Sequence, residues 1–221
     1  MSFGATFLRE SIATLRAGTT PFRAPRALPT ADPRPGAPPA ILVHGFLGHP
    51  EMFHELAVCL LESGCPEVRR VHYSSFGVDF DEIISRIDAE VRASYPAFSQ
   101  VDLIGHSLGA IACRAYIKTR GGAANVRRFV AIAAPFHGTS LYRLVPGPLR
   151  PALDPRGPWV ARLNASPEPR PTTVVRARYD TQVVPADRAS LGGEEIVVDG
   201  CGHNGLLWSD ETHRAVVEAL R

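Results

Sequence analysis

A single α/β domain, with a mainly parallel six-stranded sheet covered by helices on both faces, is what the sequence predicts. Three observations carry that prediction. Short apolar runs alternate along the chain with longer segments of helical period, the pattern of successive strand and helix units. Two of the short runs, Ile41-Leu42-Val43 and Val130-Ala131-Ile132-Ala133, are apolar without alternation, as strands buried on both faces require. A chain of 221 residues, 45% of them hydrophobic, fills one such domain and leaves little for a second of ordinary size.

In chain order, residues 1–18 come first and place Phe3, Phe7, Leu8, Ile12 and Leu15 at near-helical spacing, broken by Arg9, Glu10 and Arg16. A secretory signal needs a continuous apolar centre, which these charges interrupt. The segment therefore reads as an amphipathic helix that rests on the domain, on a second copy of the chain, or weakly on a membrane surface. No run of about 18 apolar residues is present to span a bilayer, and the expectation is a cytoplasmic protein, at most peripheral to a membrane. Residues 19–39 carry Pro29, Pro33, Pro35, Pro38 and Pro39, a density that forbids helix and central strand. Residues 1–38 are thus an N-terminal helix and arm, and 39–221 the domain.

Within the domain, strands are predicted at 39–44, 68–73, 100–105, 126–133, 172–178 and 194–198, and helices at 50–63, 79–94, 107–120 and 209–220. The stretch 134–171 breaks this rhythm. It contains Pro135, Pro146, Pro148, Pro151, Pro155, Pro158, Pro167 and Pro169 and has little periodicity. An irregular excursion of that length is uncommon in a compact domain and suggests a short lid or binding loop. Its apolar residues from Leu141 to Leu163, with Phe46, Leu47 and Phe53, suggest a hydrophobic acyl site.

Charge and cysteine content exclude other classes. Lys and Arg total 24 against 22 Asp and Glu, a formal net charge of +2, and the only basic blocks are the pairs Arg69-Arg70 and Arg127-Arg128. Nucleic acid binding needs a clustered cationic face, so that partner is not expected. Cys59, Cys65, Cys113 and Cys201 show no C-x-x-C spacing, so no zinc site or redox motif is predicted. Reduced thiols are expected, although Cys59 and Cys65 flank a helix end and could be bridged.

The chemistry centres on Val101-Asp102-Leu103-Ile104-Gly105-His106-Ser107-Leu108-Gly109, where a predicted strand runs through Gly-x-Ser-x-Gly into a predicted helix. At such an elbow the serine sits on a strained turn, and small residues two before and two after it let strand and helix approach. Gly105 and Gly109 meet that need. Ser107 would then stand at the carboxyl edge of the sheet, near a helix N-terminus that favours developing negative charge.

A serine hydroxyl attacks well only when a base takes its proton, and the base must be held in one tautomer by an acid. Asp180 follows the strand predicted at 172–178, and His203 follows that at 194–198, giving the chain order Ser107, Asp180, His203. Asp199, four residues before His203, is the second choice of acid. Asp154 falls in the irregular stretch and Asp187 beyond the Pro185 turn. His106, His137 and His213 are expected in packing or at the surface. The backbone N–H of Leu108, after the serine, would receive the charge of a tetrahedral intermediate. A second N–H, that of Phe46, would come from the turn His44-Gly45-Phe46-Leu47-Gly48, with His44 a structural residue that steadies this loop.

These residues are similar to the bacterial lipases and esterases of the α/β-hydrolase superfamily. The resemblance covers roughly 39–221, through His44-Gly45-Phe46-Leu47-Gly48, the serine elbow, Ala134-Pro135-Phe136-His137-Gly138-Thr139 and Gly202-His203-Asn204-Gly205-Leu206-Leu207. The last, with Trp208-Ser209, resembles the histidine loop of the small, nearly lidless Bacillus lipases. The resemblance implies a compact sheet of order 4-3-5-6-7-8 in the superfamily's numbering. It supports Ser107, Asp180 and His203 as catalytic residues and Phe46 and Leu108 as oxyanion donors. The expected activity is hydrolysis of acyl esters or lipids through an acyl-enzyme, with no metal or organic cofactor. A thioesterase or acyltransferase would use the same three residues, and a non-catalytic binding protein of this fold would have lost them.

Overall fold

Six short strands pair into one sheet, and all five pairings are parallel. They are described by a computed structural model covering residues 3–22, 24–95 and 97–221. Met1 and Ser2 of the expected N-terminal helix, and Arg23 of the arm, lie outside these residues. The strands are β1 (Ala40–Val43), β2 (Val68–Val71), β3 (Val101–His106), β4 (Val126–Ile132), β5 (Thr172–Ala177) and β6 (Glu195–Val198). Their order, β2-β1-β3-β4-β5-β6, is that of the α/β-hydrolase sheet expected from the resemblance. The helices are α1 (Phe3–Thr19), α2 (His54–Glu62), α3 (Phe80–Ala93), α4 (Leu108–Thr119), α5 (Pro158–Asn164) and α6 (Asp210–Ala219).

The pleat explains the two-sided burial. Successive side chains of a strand point to opposite faces, so Ile41, Val43, Leu103, Phe129, Ala131 and Val174 join one cluster with Ile83, Ile84 and Ile87 of α3 and most of α4. Leu42, Ile104, Val130, Ile132 and Val175 join the other, with Leu56 and Leu60 of α2 and Val216 of α6. A parallel arrangement also puts every strand's C-terminal end on one edge. The loops after β1, β3, β5 and β6 therefore converge, and with them the segments holding Phe46, Ser107, Asp180 and His203.

One region departs from expectation. The proline-rich stretch is less irregular than its periodicity suggests, since α5 and two 3-10 turns lie in it, and Pro158 opens α5 at a position where its missing N–H costs nothing. Its apolar residues do not line a site: Leu149, Ala152, Leu153 and Leu163 enter the core beside α3 and α4, and Trp159 meets Phe80 edge-on at 4.9 Å. The buried Arg114 of α4 ties down its far end through Glu168 and Asn164. The expected acyl lining of Leu141 to Leu163 is thus corrected to core packing for most of its members. Phe53 is likewise fully buried in the core.

Helix α1 packs on the domain, one of the expected alternatives, with Thr6, Glu10, Ala13 and Ala17 buried along one face. Arg16 pairs with Glu55 at 2.5 Å and lies 4.5 Å over the ring of Trp208. The opposite face, Leu8, Ile12 and Leu15, stays exposed. Among the described residues no helix is long and apolar enough to cross a membrane, and all four cysteines are free, so Cys59 and Cys65 are unbridged.

Candidate active site

The serine elbow is built by close packing. Ser107 has φ 54° and ψ −123°, a backbone that L-residues rarely adopt and that persists only where the surroundings enforce it. They do so through Gly105 and Gly109. A Cβ on Gly105 would lie 2.4 Å from Ala110 Cα, and one on Gly109 2.3 Å from the carbonyl oxygens of Val43 and His44. Helix α4 is thereby pressed onto β1 and β3, and Ser107 is carried to the sheet edge at its N-terminus.

The loop after β1 lies against the serine, since a Cβ on Gly45 would come within 2.8 Å of that of Ser107. Gly45 and Gly48 close a turn by a 3.0 Å hydrogen bond, and the Leu47 N–H donates to Ser75 Oγ at 2.7 Å. The Phe46 N–H directly precedes those two committed amides. Leu108 is the first residue of α4, where no carbonyl of the helix accepts its N–H. Both predicted donors thus flank Ser107.

His203 and Asp180 meet as the chain order predicts. The Nδ1–H of His203 donates to both carboxylate oxygens of Asp180 at 3.0 Å, with the two side chains 2% and 1% exposed. The N–H groups of Gln182 and Val183 also donate to Asp180, at 2.7 and 2.8 Å. Burial alone would push this carboxyl upward, but the imidazole and the two amides outweigh it and hold it below the usual carboxylate range. Ser107 and His203 line one cleft of about 190 Å³ with Phe46, Leu47, Met52, His106 and Gln182, and Thr14, Ala17 and Gly18 of α1 form another part of its wall.

Other candidate acids and histidines are engaged elsewhere. Asp199, the second choice of acid, is exposed and paired with Arg178 at 2.5 Å. Asp154 accepts the N–H of Arg156. His137 donates to the Ser190 carbonyl and His213 to that of Leu207. His44 is structural, as expected: it donates to the Gly45 carbonyl and stacks on Tyr73 at 4.1 Å, and burial lowers its pKa to about 4. A larger groove of about 760 Å³ between α2 and α6 shares no lining residue with the cleft. The pKa of its thiol, Cys59, is pushed up by burial and by nearby Glu62 and Asp210.

His106 lies in packing, as expected, and two residues were missed. The buried Nε2–H of His106 donates to the carbonyl of His203 at 3.2 Å and its ring borders the cleft. Burial and the neighbouring His203 lower its pKa to about 3. The positive φ of Ser107 turns the chain so that adjacent side chains diverge, the serine to the cleft and the histidine to the loop of the base. Glu10 and Thr139 were not singled out from the sequence as residues of the site. Glu10 accepts N–H groups of Asn204 and Gly205, and Thr139 bonds to the loop of Asp180 through the Gln182 carbonyl and the Val184 N–H. The signal for Glu10 was present, because it shares a helical face with Thr6, Ala13 and Ala17, where an acid among small residues needs a partner.

A family model described as Palmitoyl protein thioesterase matches residues 39–188. The match takes in the Phe46 loop, the elbow and Asp180; α1 and His203 fall outside it. No curated protein sequence matches the chain. Among solved structures, the lipase B of Aspergillus fumigatus aligns at TM-score 0.68 and 19% identity over 90% of this chain and 55% of its own. The chain thus spans just over half the length of that protein. The mature lipase BlEst2 of Bacillus licheniformis aligns at TM-score 0.67 and 17% identity, over 87% of this chain and 95% of its own. Est1E of Butyrivibrio proteoclasticus gives 0.61 and 17%, over 86% and 88%. At such identities the likeness is one of fold.

Proposed function

We propose that this chain, a member of the Palmitoyl protein thioesterase family, is a carboxylic ester hydrolase that cleaves acyl esters and thioesters through an acyl-enzyme formed on Ser107. The observation that carries the reading is the buried contact of His203 Nδ1 with both oxygens of Asp180, made in the cleft that Ser107 lines.

In the first half-reaction Ser107 Oγ bonds to the acyl carbon while its proton passes to Nε2 of His203. The carbonyl electron pair moves to oxygen, where the N–H groups of Phe46 and Leu108 receive it. Collapse of this species breaks the bond to the leaving oxygen or sulfur, which takes the proton from His203 and departs. Water then attacks the acyl-enzyme with its proton passing to the same nitrogen, and the acid and free serine are released. Asp180, kept ionised, stabilises the imidazolium that forms twice in each cycle.

The cleft is smaller than the roughly 300–1,000 Å³ usual for a small-molecule site. It accommodates the reacting carbonyl and a short acyl segment, and a longer chain would continue over the exposed Leu47 and Phe76 at the rim. Ser107→Ala is the test. Turnover of a soluble p-nitrophenyl ester should fall by roughly a thousandfold or more with the circular dichroism spectrum unchanged, and activity near that of the parent would refute the assignment. The family match gives specific weight to thioesters. Paired O-acyl and S-acyl substrates of equal acyl length decide between the bonds, a larger kcat/KM for the S-acyl member supporting a thioesterase.

A further inference from the structure

The loop that carries His203 is held from outside the parallel sheet by a buried carboxylate. Glu10, in the middle of α1, is 3% exposed. Its Oε1 accepts the N–H of Asn204 at 2.8 Å and its Oε2 that of Gly205 at 2.9 Å, so one carboxylate holds two consecutive amides directly after the base. Thr14, one turn further along α1, accepts from Asn204 Nδ2 at 3.1 Å and donates to Glu10 at 3.4 Å. The loop is shaped to receive the carboxylate, since a Cβ on Gly202 would lie 2.7 Å from Glu10 Cγ and one on Gly205 3.2 Å from its Oε2.

Burying a carboxylate costs several kcal/mol unless its oxygens find strong donors. A face that only had to rest on the domain would be apolar, as Ala13 and Ala17 are on the same helix. The loop also needs such a hold. Gly200, Gly202 and Gly205 surround His203 and leave its backbone many conformations when unrestrained. Contacts on several sides hold it, among them Asp180 at the imidazole, His106 at the His203 carbonyl, and Glu10 at the next two amides along the chain.

We propose that Glu10 is a positioning residue for the reaction, its carboxylate setting the backbone of the His203 loop so that the imidazole faces Ser107. The proposal rests on the reading of His203 as the base. It gives α1 a part in catalysis, with the helix serving as a strut of the active site.

The test compares Glu10→Ala, Glu10→Gln and Glu10→Asp in the full chain, with kcat expressed per site titrated to completion by a fluorophosphonate. Misplacement of a catalytic group by about an ångström costs up to about a hundredfold, so Glu10→Ala should lower kcat roughly 10- to 100-fold with KM within about twofold. Glu10→Gln keeps the shape but turns an NH₂ group toward one of the two N–H donors, and should be nearly as slow. Glu10→Asp keeps two acceptor oxygens and should recover part of the rate. Amide hydrogen exchange provides a readout independent of turnover and should speed up at Asn204 and Gly205 in Glu10→Gln. A purely structural Glu10 would lower the melting temperature and let those amides exchange faster while leaving kcat per titrated site unchanged, and that result overturns the proposal. If Ser107→Ala is inactive while Glu10→Gln matches the parent, this inference alone fails. If Ser107→Ala stays active, the reading of the site fails first.

Discussion

Helix α1 and the stretch 134–171 both stand outside the alternation of strand and helix, and both are rich in apolar residues, yet they relate to the cleft in opposite ways. The stretch puts Leu149, Leu153 and Leu163 into the core beside α3 and α4 and reaches the site at Thr139, whose hydroxyl donates to the Gln182 carbonyl at 2.6 Å and steadies the loop of the acid. Helix α1 puts Thr14, Ala17 and Gly18 into the cleft wall, clamps the loop of the base with Glu10, and leaves its most apolar side chains in solvent. Apolar content shows that a segment can bury something, but not against what. The buried polar group is the better guide to place, because it must find a particular partner.

The largest effect expected from this contrast is on stability. Leu149 is 1% exposed, and Leu149→Ala should destabilise the fold by about 2–5 kcal/mol in urea unfolding while leaving the relative kcat/KM for esters of different acyl length unchanged. A shift in length preference would make 134–171 part of the substrate site and break the comparison.

A second effect lies beneath both segments. Burial lowers the pKa of His44 to about 4 and of His106 to about 3, below the ordinary histidine value of 6.5. Between those values the unfolded chain binds more protons than the folded one. The stability of the neutral imidazoles is therefore fully present above pH 6.5 and is lost as pH falls toward 4 and then 3, at up to about 1.4 kcal/mol per pH unit for each histidine. Asp180, whose folded pKa lies below its ordinary 3.8, contributes fully above that value and begins to lose its contribution as pH falls below it. Melting temperatures should fall steadily from pH 6.5 to 4.5, and His106→Asn should lessen that slope. A flat profile would mean that the two rings titrate as freely as exposed ones.

The smallest effect belongs to the outward face of α1. Leu15 is 70% exposed, so Leu15→Ser should change stability by less than about 0.5 kcal/mol and leave turnover of a soluble ester unaltered. A slow Leu15→Ser variant would show that both faces of the helix serve the site, and the distinction between Glu10 and its neighbours would fall.

The strands were legible to within two residues of their ends because buried parallel strands announce themselves as short apolar runs. The meeting of Asp180 with His203 was legible because each comes just after such a run, and a parallel sheet gathers the loops at the C-terminal ends of its strands. Gly105 and Gly109 were legible from their spacing around Ser107. Helix α5 was hidden by its brevity and by the prolines around it. Contacts made across the chain left little trace: Glu10 lies 194 positions from the amide of Asn204, and nothing local tells an acid on a buried helical face which loop it will meet. His106 was legible as a packing residue, because neighbours at the tight turn diverge, but the carbonyl of His203 that it meets was not, since that contact depends on the path of the backbone.

Above all, Ser107 is proposed as the nucleophile, activated by His203 and Asp180. Mass spectrometric mapping of the site modified by a fluorophosphonate probe tests this most directly. The expected result is a single adduct on Ser107, formed in step with loss of esterase activity and much more slowly in Asp180→Asn. An adduct on another residue, or full activity in protein modified at Ser107, would contradict it.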